Sequence, residues 1–253
     1  MTDRSWMTWP LKTAALALIA FSLTTALGCG RATEDDDVEG DGVPVPELTE
    51  QEKAELAAFR EPEVSAEQEN GILNRYGHLD PEHLVPRNLL KKALSYFETN
   101  RALLGNDSVL TIIDFSAKST RSRMYVIDIH EGSVTAYHMA HGRGSDPRDT
   151  GYAKVFSNRL GSRKSSLGYY RTAETYISPK HGLALRMDGL SSTNSNVRKR
   201  AIVVHGATYV LDRDIKQGRS SGCFAVSDAL HEKVVNRLKK GSLIYAGRSG
   251  ISE

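Results

Sequence analysis

Two helical patterns precede residue 101. The first predicts a helix over residues 50–60, where Thr49 and Glu52 resemble a capping box and Pro62 ends the pattern. The second predicts a helix over residues 86–100, whose apolar positions recur on one face: Leu89, Leu90, Ala93, Leu94 and Phe97. Because this second helix is amphipathic, we expect it to dock on the domain that follows.

From Ser108 onward the apolar pattern changes to short runs of β-branched and aromatic residues. These runs predict strands at residues 109–115, 124–129, 134–139, 175–177, 183–187, 201–204 and 243–245. Residues 130–133 separate the second and third runs with a hairpin signal. Residues 227–240 predict a capped helix with Gly241 beyond its end. The pattern predicts a compact, mostly antiparallel β domain with few helices.

The N-terminus has the composition of an export signal. Residues 13–27 are uncharged and follow Arg4 and Lys12, and the run is too short for a comfortable membrane span. It ends in Ala26-Leu27-Gly28-Cys29, which resembles a bacterial lipobox and makes Cys29 the expected lipidation site. Gly30 then favours the outer membrane of a Gram-negative cell. Simple cleavage by a standard signal peptidase, without a lipid anchor, is the alternative.

The net charge of +2 hides an uneven distribution. Residues 30–99 carry 7 Lys and Arg against 17 Asp and Glu, a balance of −10, and residues 100–253 carry 24 against 13, a balance of +11. A basic domain behind an acidic leader suits an anionic partner such as a cell-wall polymer or an acidic membrane surface. Nucleic acid is not expected as a partner, because the basic residues are not interleaved with stacking aromatics.

These patterns divide the chain into four expected segments. Residues 1–29 are the signal peptide with its lipobox, residues 30–47 an acidic flexible linker, residues 48–100 a helical N-terminal segment, and residues 101–253 the folded domain. We therefore expect an exported, periplasmic protein tethered to a membrane through Cys29. A monomer is expected by default.

The candidate chemistry lies near the C-terminal end. The apolar run 201–204 leads into His205, and eighteen residues later Cys223 follows Gly222 in a loop of small residues. A cysteine is a good nucleophile only as its thiolate, which a nearby imidazole can generate, and Gly222 lets backbone N–H groups approach an oxyanion. The alternative is that Cys223 is a buried small hydrophobe and His205 a core histidine.

Other kinds of site have little support in the sequence. It contains 2 cysteines, and acylation or removal of Cys29 leaves a single thiol, so no intrachain disulfide is expected. Phosphate-loop, dinucleotide and zinc-binding spacings are absent. His138, His141 and His181 could gather with His205 around zinc in principle, but no further ligand spacing supports this. We expect neither a metal nor a cofactor.

The residues around His205 and Cys223 resemble a known family. His205-Gly206 followed by Ser221-Gly222-Cys223 is similar to the signature of L,D-transpeptidase (YkuD-type) catalytic domains, closest to the murein L,D-transpeptidase branch. The similarity covers roughly residues 85–247 through further short segments: 113–116, 140–145, 156–158, 165–168, 189–191 and 218–220. In the better-known branch, a histidine stands at the position of Ser221 and an arginine at that of Ala225, so substrate preference does not transfer directly.

The resemblance implies a fold that is mainly β (α+β): a β-sandwich or barrel with a few short helices and an N-terminal helical segment. It implies that Cys223, deprotonated by His205, attacks residue 3 of a peptidoglycan stem peptide and releases D-alanine. Backbone N–H groups around Ser221, Gly222 and Cys223 would hold the oxyanion, with Gly206 supporting. Transfer to an amine gives a 3→3 crosslink or attaches a protein, and transfer to water gives L,D-carboxypeptidase activity.

The residues around the candidate pair have alternative interpretations. Arg219 is the candidate for a substrate carboxylate, or else a solvent-exposed loop arginine. Tyr209 and His141 would line the cleft, although Tyr209 could equally be a core residue, and Ser221 orients His205 or fits a tight turn. Two further classes stay in play for the whole protein: another cysteine peptidase or amidase trimming stem peptides, and a non-catalytic, tethered wall-binding module.

Overall fold

A computed structural model describes residues 1–2 and 40–250 of the chain. The predicted export signal, Cys29 and most of the predicted linker lie outside the described residues. Contacts divide the chain into two units, Met1–Arg31 and Ala32–Glu253, and every described helix and strand belongs to the second unit. No helix in the described part of the chain is long and apolar enough to cross a membrane.

Four α-helices are present in the described residues: α1 Glu50–Ala57, α2 Ala66–Arg75, α3 Arg87–Asn100 and α4 His231–Leu238. The predicted capping box of α1 is confirmed, since Thr49 and Glu52 satisfy each other's backbone N–H groups. The amphipathic helix predicted over residues 86–100 is confirmed as α3. Helix α2 was not predicted, although Ser65 and Gln68 form a second capping box.

Residues 40–250 contain eight strands: β1 Val109–Asp114, β2 Met124–Asp128, β3 Val134–Tyr137, β4 Gly168–Ser178, β5 Gly182–Gly189, β6 Val203–Ala207, β7 Phe224–Ser227 and β8 Leu243–Gly247. They form one sheet in the order β3-β2-β1-β8-β4-β5-β6-β7. Most neighbours are antiparallel, including the predicted β2–β3 hairpin, but β1–β8 and β6–β7 are parallel. The predicted mainly β domain with few helices is confirmed.

The two ends of the sheet come together. Ala140, just beyond β3, forms an antiparallel bridge with Ala225 in β7, and Gly142 forms a parallel bridge with Ser220. These bridges join the first and last strands of the order, so the sheet curls into a nearly closed barrel. We call this line of contact the seam.

Two predicted boundaries near the seam are wrong. The predicted helix over residues 227–240 begins at His231, because Ser227 is the last residue of β7 and its hydroxyl donates to Asp212 instead of capping a helix. The strand predicted from Ala201 begins at Val203, because Ala201 has a left-handed backbone with φ of 51°. The true β6 therefore includes His205 and Gly206.

Two apolar cores hold the domain together, one on each face of β1. Ile113 faces the interior of the barrel, where it joins a core that includes Met187, Val204 and Phe224. Leu110 and Ile112 face outward and pack with the buried side chains of α3. Three tyrosines reinforce this outer contact, since Tyr169 of β4 stacks between Tyr96 and Tyr245 at centroid distances of 3.7 and 4.6 Å.

This packing predicts that α3 unfolds together with the barrel. Leu94 is fully buried, so Leu94→Ala should lower the free energy of unfolding by about 2–5 kcal/mol. The same change at Leu103, which is 38% exposed, should cost only about 0.5 kcal/mol. Urea unfolding followed by far-ultraviolet circular dichroism and by tyrosine fluorescence measures both. A separate early transition in Leu94→Ala, with the barrel unaffected, would contradict the prediction.

Candidate active site

The parallel pairing of β6 with β7 brings the two candidate catalytic residues to adjacent strands. Val204 pairs with Phe224 and His205 pairs with Ala225. Cys223 directly precedes β7, so the loop that carries it ends beside the strand that carries His205. The side chain of His205 is fully buried.

A backbone carbonyl fixes the orientation of the His205 ring. Nδ1 lies 2.7 Å from the carbonyl oxygen of Gly206. Since a carbonyl oxygen can only accept a hydrogen bond, Nδ1 carries the proton and Nε2 is the basic nitrogen of the neutral ring. The third group that orients this histidine is therefore a main-chain atom, which no side-chain motif could reveal.

A second histidine, which the sequence named only as one of four that could in principle gather around zinc, contacts the first. The His181 ring, in the turn between β4 and β5, lies with its centroid 3.9 Å from that of His205 at an interplanar angle of 36°. The two residues are separated by 24 positions along the chain, so no spacing motif links them. His181 therefore forms one wall around the candidate base.

Gly206 is required for packing. A Cβ atom built there would lie 2.6 Å from Cγ of His231 and 2.8 Å from a carboxylate oxygen of Asp228. His231 begins α4, and its Nδ1 donates to the Asp228 carbonyl over 2.7 Å. The glycine thus lets the start of α4 approach the backbone next to His205.

Serine hydroxyls hold the loop around Cys223. Ser220 Oγ donates to the Cys223 carbonyl over 2.8 Å and accepts the Gly222 N–H over 3.1 Å. Ser165 Oγ donates to the Gly222 carbonyl over 3.1 Å and accepts the Gly142 N–H over 3.0 Å. Ser165 thus links Gly142, on one side of the seam, to Gly222 in the loop of the candidate nucleophile, and Ser220 holds that loop from within. The His-Gly and Ser-Gly-Cys motif alone did not single out these two serines as functional candidates.

Gly222 has a backbone conformation that other residues avoid. Its φ is +125°, and a Cβ atom there would lie 2.8 Å from Cδ1 of Ile202 and 3.0 Å from the Lys164 carbonyl oxygen. The Gly222 N–H donates to Ser220 Oγ and so is already engaged in the loop. The positive φ of Gly222 lets the chain turn tightly just before Cys223.

The Cys223 thiol is buried. The residue is 5% exposed, and Sγ lies 3.9 Å from the carbonyl oxygen of Ala201. It belongs to the interior core, together with Val203 and Phe224. Burial by itself fits a structural cysteine as well as a resting nucleophile.

Arg219 and Tyr209 lie in the connection between β6 and β7. Arg219 is anchored inward: its Nη1 donates to the Asp146 carbonyl over 2.6 Å, and its Nε is 3.4 Å from a carboxylate oxygen of Asp149. Tyr209 is buried in a small apolar cluster and packs against Gly218. The structure therefore brings Arg219 to the loop 146–149 and Tyr209 to the core beneath the connection.

His141 lies under the seam. Its carbonyl accepts the Ser220 N–H over 3.0 Å, and its Nδ1 accepts from Arg123 Nη2 over 2.7 Å, which puts the proton on Nε2, 3.6 Å from Asp146. Burial lowers the pKa of His141 most, and the Arg123 cation lowers it further, so that the pKa lies well below its usual range. His141 is consequently a neutral support whose ring points to Arg123.

The histidines named from the sequence do not form a metal site. Among the described residues no group of three or more His, Cys, Asp or Glu side chains is arranged to hold a metal ion. His138 pairs with Asp214 over 3.0 Å, and His141 with Arg123, while the His181 and His205 rings are in contact.

A profile of the family described as L,D-transpeptidase catalytic domain matches residues 82–246. This match confirms the resemblance seen over roughly residues 85–247. No curated protein sequence matches the chain. Helix α3 lies inside the matched range.

Solved structures with some similarity include an L,D-transpeptidase from Mycobacterium smegmatis (13% identity over 55% of this chain and 58% of that one, TM-score 0.35). Another is an L,D-transpeptidase from Stackebrandtia nassauensis (11% identity, 84% and 98%, TM-score 0.35). The helical cell shape determining protein Pgp2 from Campylobacter jejuni aligns over 56% of this chain and 48% of its own length (13% identity, TM-score 0.34). The chain thus spans about half the length of Pgp2.

The neutral state of His141 predicts a pH dependence of stability. Below the unfolded pKa of about 6.5 the unfolded chain takes up a proton at this histidine that the folded chain does not, so the contribution of His141 to the free energy of unfolding should fall by about 1.4 kcal/mol per pH unit between about pH 6 and pH 4. His141→Gln, which can still accept from Arg123, should flatten this slope. Urea unfolding across that range measures it, with exposed His130→Gln as the control. An unchanged slope in His141→Gln would disprove the assignment.

Proposed function

Since the chain belongs to the L,D-transpeptidase catalytic domain family, we propose that it is an exported, cysteine-dependent L,D-transpeptidase acting on peptidoglycan stem peptides. The observation that supports this most is the β6–β7 pairing, which sets the loop ending at Cys223 beside the strand of His205. The Nδ1 contact with the Gly206 carbonyl leaves Nε2 as the base that the reaction requires.

In the acylation step, His205 Nε2 takes the proton of the Cys223 thiol, and the thiolate attacks the carbonyl carbon of stem residue 3. The tetrahedral intermediate collapses as the C–N bond to D-alanine breaks, and His205 returns the proton to the leaving amine. A thioester and free D-alanine result. Neither a metal nor a cofactor takes part in these steps.

In the transfer step, an acceptor amine attacks the thioester carbonyl and loses a proton to His205. The C–S bond breaks, the thiolate takes up the proton from His205, and a 3→3 crosslink or an attached protein is formed. With water in place of the amine the product is a tripeptide, so carboxypeptidase action needs no additional residue.

Backbone N–H groups of the loop 221–223 stabilise the oxyanion that forms in both steps. In the resting structure the Gly222 N–H donates to Ser220 Oγ. Its use therefore requires that this hydrogen bond be exchanged for one to the substrate. Arg219 already binds Asp149 through Nε and the Asp146 carbonyl through Nη1, so it would bind a substrate carboxylate next to these existing contacts.

The remaining segments complete the proposal. Residues 1–29 direct export, Cys29 carries the lipid, residues 30–47 tether the protein, residues 48–100 add helices, and residues 101–253 form the catalytic domain. An outer-membrane anchor in the periplasm would place this basic domain close to anionic cell wall.

One observation favours a second candidate function. Cys223 is 5% exposed, which is what a packed structural thiol would show. A non-catalytic wall-binding module that retains the fold is therefore the alternative, and it predicts that Cys223 is dispensable.

Incubation of residues 30–253 with disaccharide-tetrapeptide should give new muropeptides, measured by mass spectrometry. Cys223→Ala should abolish them, and His205→Gln should slow them by about 10²–10⁴-fold because the general base is lost. Exposed His130→Gln is the matched control and should react normally. Dimers with 3→3 bonds indicate transpeptidation, and tripeptide with free D-alanine indicates carboxypeptidase action. Equal product from Cys223→Ala would refute cysteine catalysis, and binding to sacculi without any product would favour the wall-binding module.

A further inference from the structure

Part of the predicted linker lies against the domain near Cys223. Residues 40–44, here called the strap, make three separate contacts with it. Gly40 is so close to Ala201 that a Cβ atom on the glycine would lie 2.7 Å from the alanine Cβ. Asp41 accepts a hydrogen bond from the Tyr176 hydroxyl over 2.8 Å, and the Pro44 carbonyl accepts from Arg186 Nη2 over 3.1 Å.

The contacts of the strap border the candidate nucleophile. Ala201, which touches Gly40, supplies the carbonyl oxygen that lies 3.9 Å from Cys223 Sγ. Burial raises the pKa of the Tyr176 phenol most, and the negative charges of Asp41 and of an ionised Cys223 raise it further. Tyr176 therefore holds Asp41 of the strap through its hydroxyl and packs against the interior core that contains Cys223.

The place that Asp41 occupies is suited to a carboxylate. Burial alone would raise the pKa of Asp41, but hydrogen bonds from Ser178 and Tyr176, together with the Val43 N–H, outweigh it and lower the pKa. Two of these donors, Ser178 and Tyr176, belong to β4 and not to the strap. They would serve a carboxylate from another molecule equally well.

The strap does not use every hydrogen-bond donor of the Arg186 guanidinium. The residue is 3% exposed, and its guanidinium lies over the Tyr176 ring, 4.1 Å from the centroid. Nη2 holds the Pro44 carbonyl and Nε lies 3.4 Å from Glu174, but Nη1 is buried with no acceptor among the described residues. A buried guanidinium N–H without an acceptor is costly, so the place next to Arg186 fits a ligand with one more acceptor than the strap supplies.

We propose that Tyr176, Ser178 and Arg186 form the subsite for a carboxylate-bearing, extended acyl-donor peptide, and that the strap occupies this subsite in the resting chain. The inference rests on the proposed function, because stem peptides supply both the extended backbone and the free carboxylates. The donor peptide displaces the strap, places a carboxylate where Asp41 lies, and gives Arg186 Nη1 an acceptor. Being part of the same chain, the strap competes at a high effective concentration.

The first test needs no peptidoglycan. In residues 30–253, the rate at which iodoacetamide alkylates Cys223, followed by peptide mass mapping, reports access to the thiol. Asp41→Asn should raise this rate about tenfold, since a charge-assisted hydrogen bond to the strap is lost. Gly40→Val should also raise it, because the side chain collides with Ala201 and disfavours φ of +90°. Exposed Glu47→Gln, in the same linker, should leave it unchanged. Rates within twofold of the parent for both strap variants would overturn the proposal.

The second test separates the strap from the substrate subsite. Asp41→Asn should lower KM for disaccharide-tetrapeptide with kcat unchanged, because competition is removed. Tyr176→Phe should release the strap equally, and so raise alkylation, yet increase KM, because the hydroxyl also serves the donor. A fall in KM in Tyr176→Phe like that in Asp41→Asn would show that substrate does not use the subsite.

A failure of the proposed function remains distinguishable from a failure of this inference. If no variant turns over the tetrapeptide, the alkylation rates still decide whether the strap limits access to Cys223. Calorimetry then decides the subsite: the peptide should bind Cys223→Ala with Asp41→Asn more tightly than Cys223→Ala alone. Equal affinities would count against the shared subsite.

Discussion

The parallel pairing of β6 with β7 is the constraint on which the site depends. Parallel neighbours cannot be joined by a tight turn, so the chain needs a long crossover, and residues 208–223 supply it. That crossover carries Tyr209 and Arg219 and ends in the loop of Cys223. Its return beside β6 also brings Ala225 to Ala140, which closes the barrel. The geometry of the candidate site and the closure of the barrel therefore come from the same pair of strands.

The sequence predicted the parts of this arrangement that depend on local pattern. Helix α3 and the β2–β3 hairpin follow from apolar spacing, and His205 and Cys223 stand out through their motif. The contact of His181 with His205 could be named only within one possible grouping of four histidines, and the contact of Asp41 with Tyr176 was not predictable, because partners so far apart meet only through the fold. Composition predicts a flexible linker over residues 30–47 and does not predict the docking of residues 40–44, because polar contacts leave no apolar signal.

The Cys223 thiol is buried and the strap lies next to it, and both features limit access to the thiol in the resting chain. The serine contacts around Gly222 fix the loop, and the core packs the Cys223 side chain, so in the proposed mechanism the donor peptide would meet the subsite of Tyr176 and Arg186 before the thiol. In that proposal, recognition of a carboxylate by Arg186 and Tyr176 would precede the chemical step. Binding energy gained at the subsite would then be available for rearranging the loop at Gly222.

The seam has a mechanical consequence. Elsewhere in the described sheet neighbouring strands share ladders of paired residues, whereas the seam consists of two isolated bridges, Ala140 with Ala225 and Gly142 with Ser220. The free energy of local opening should therefore be lowest along this line. Because Cys223 lies between Ser220 and Ala225, the two bridge positions on its side of the seam, opening of the seam would expose the Cys223 loop while the outer core packed on α3 stays intact.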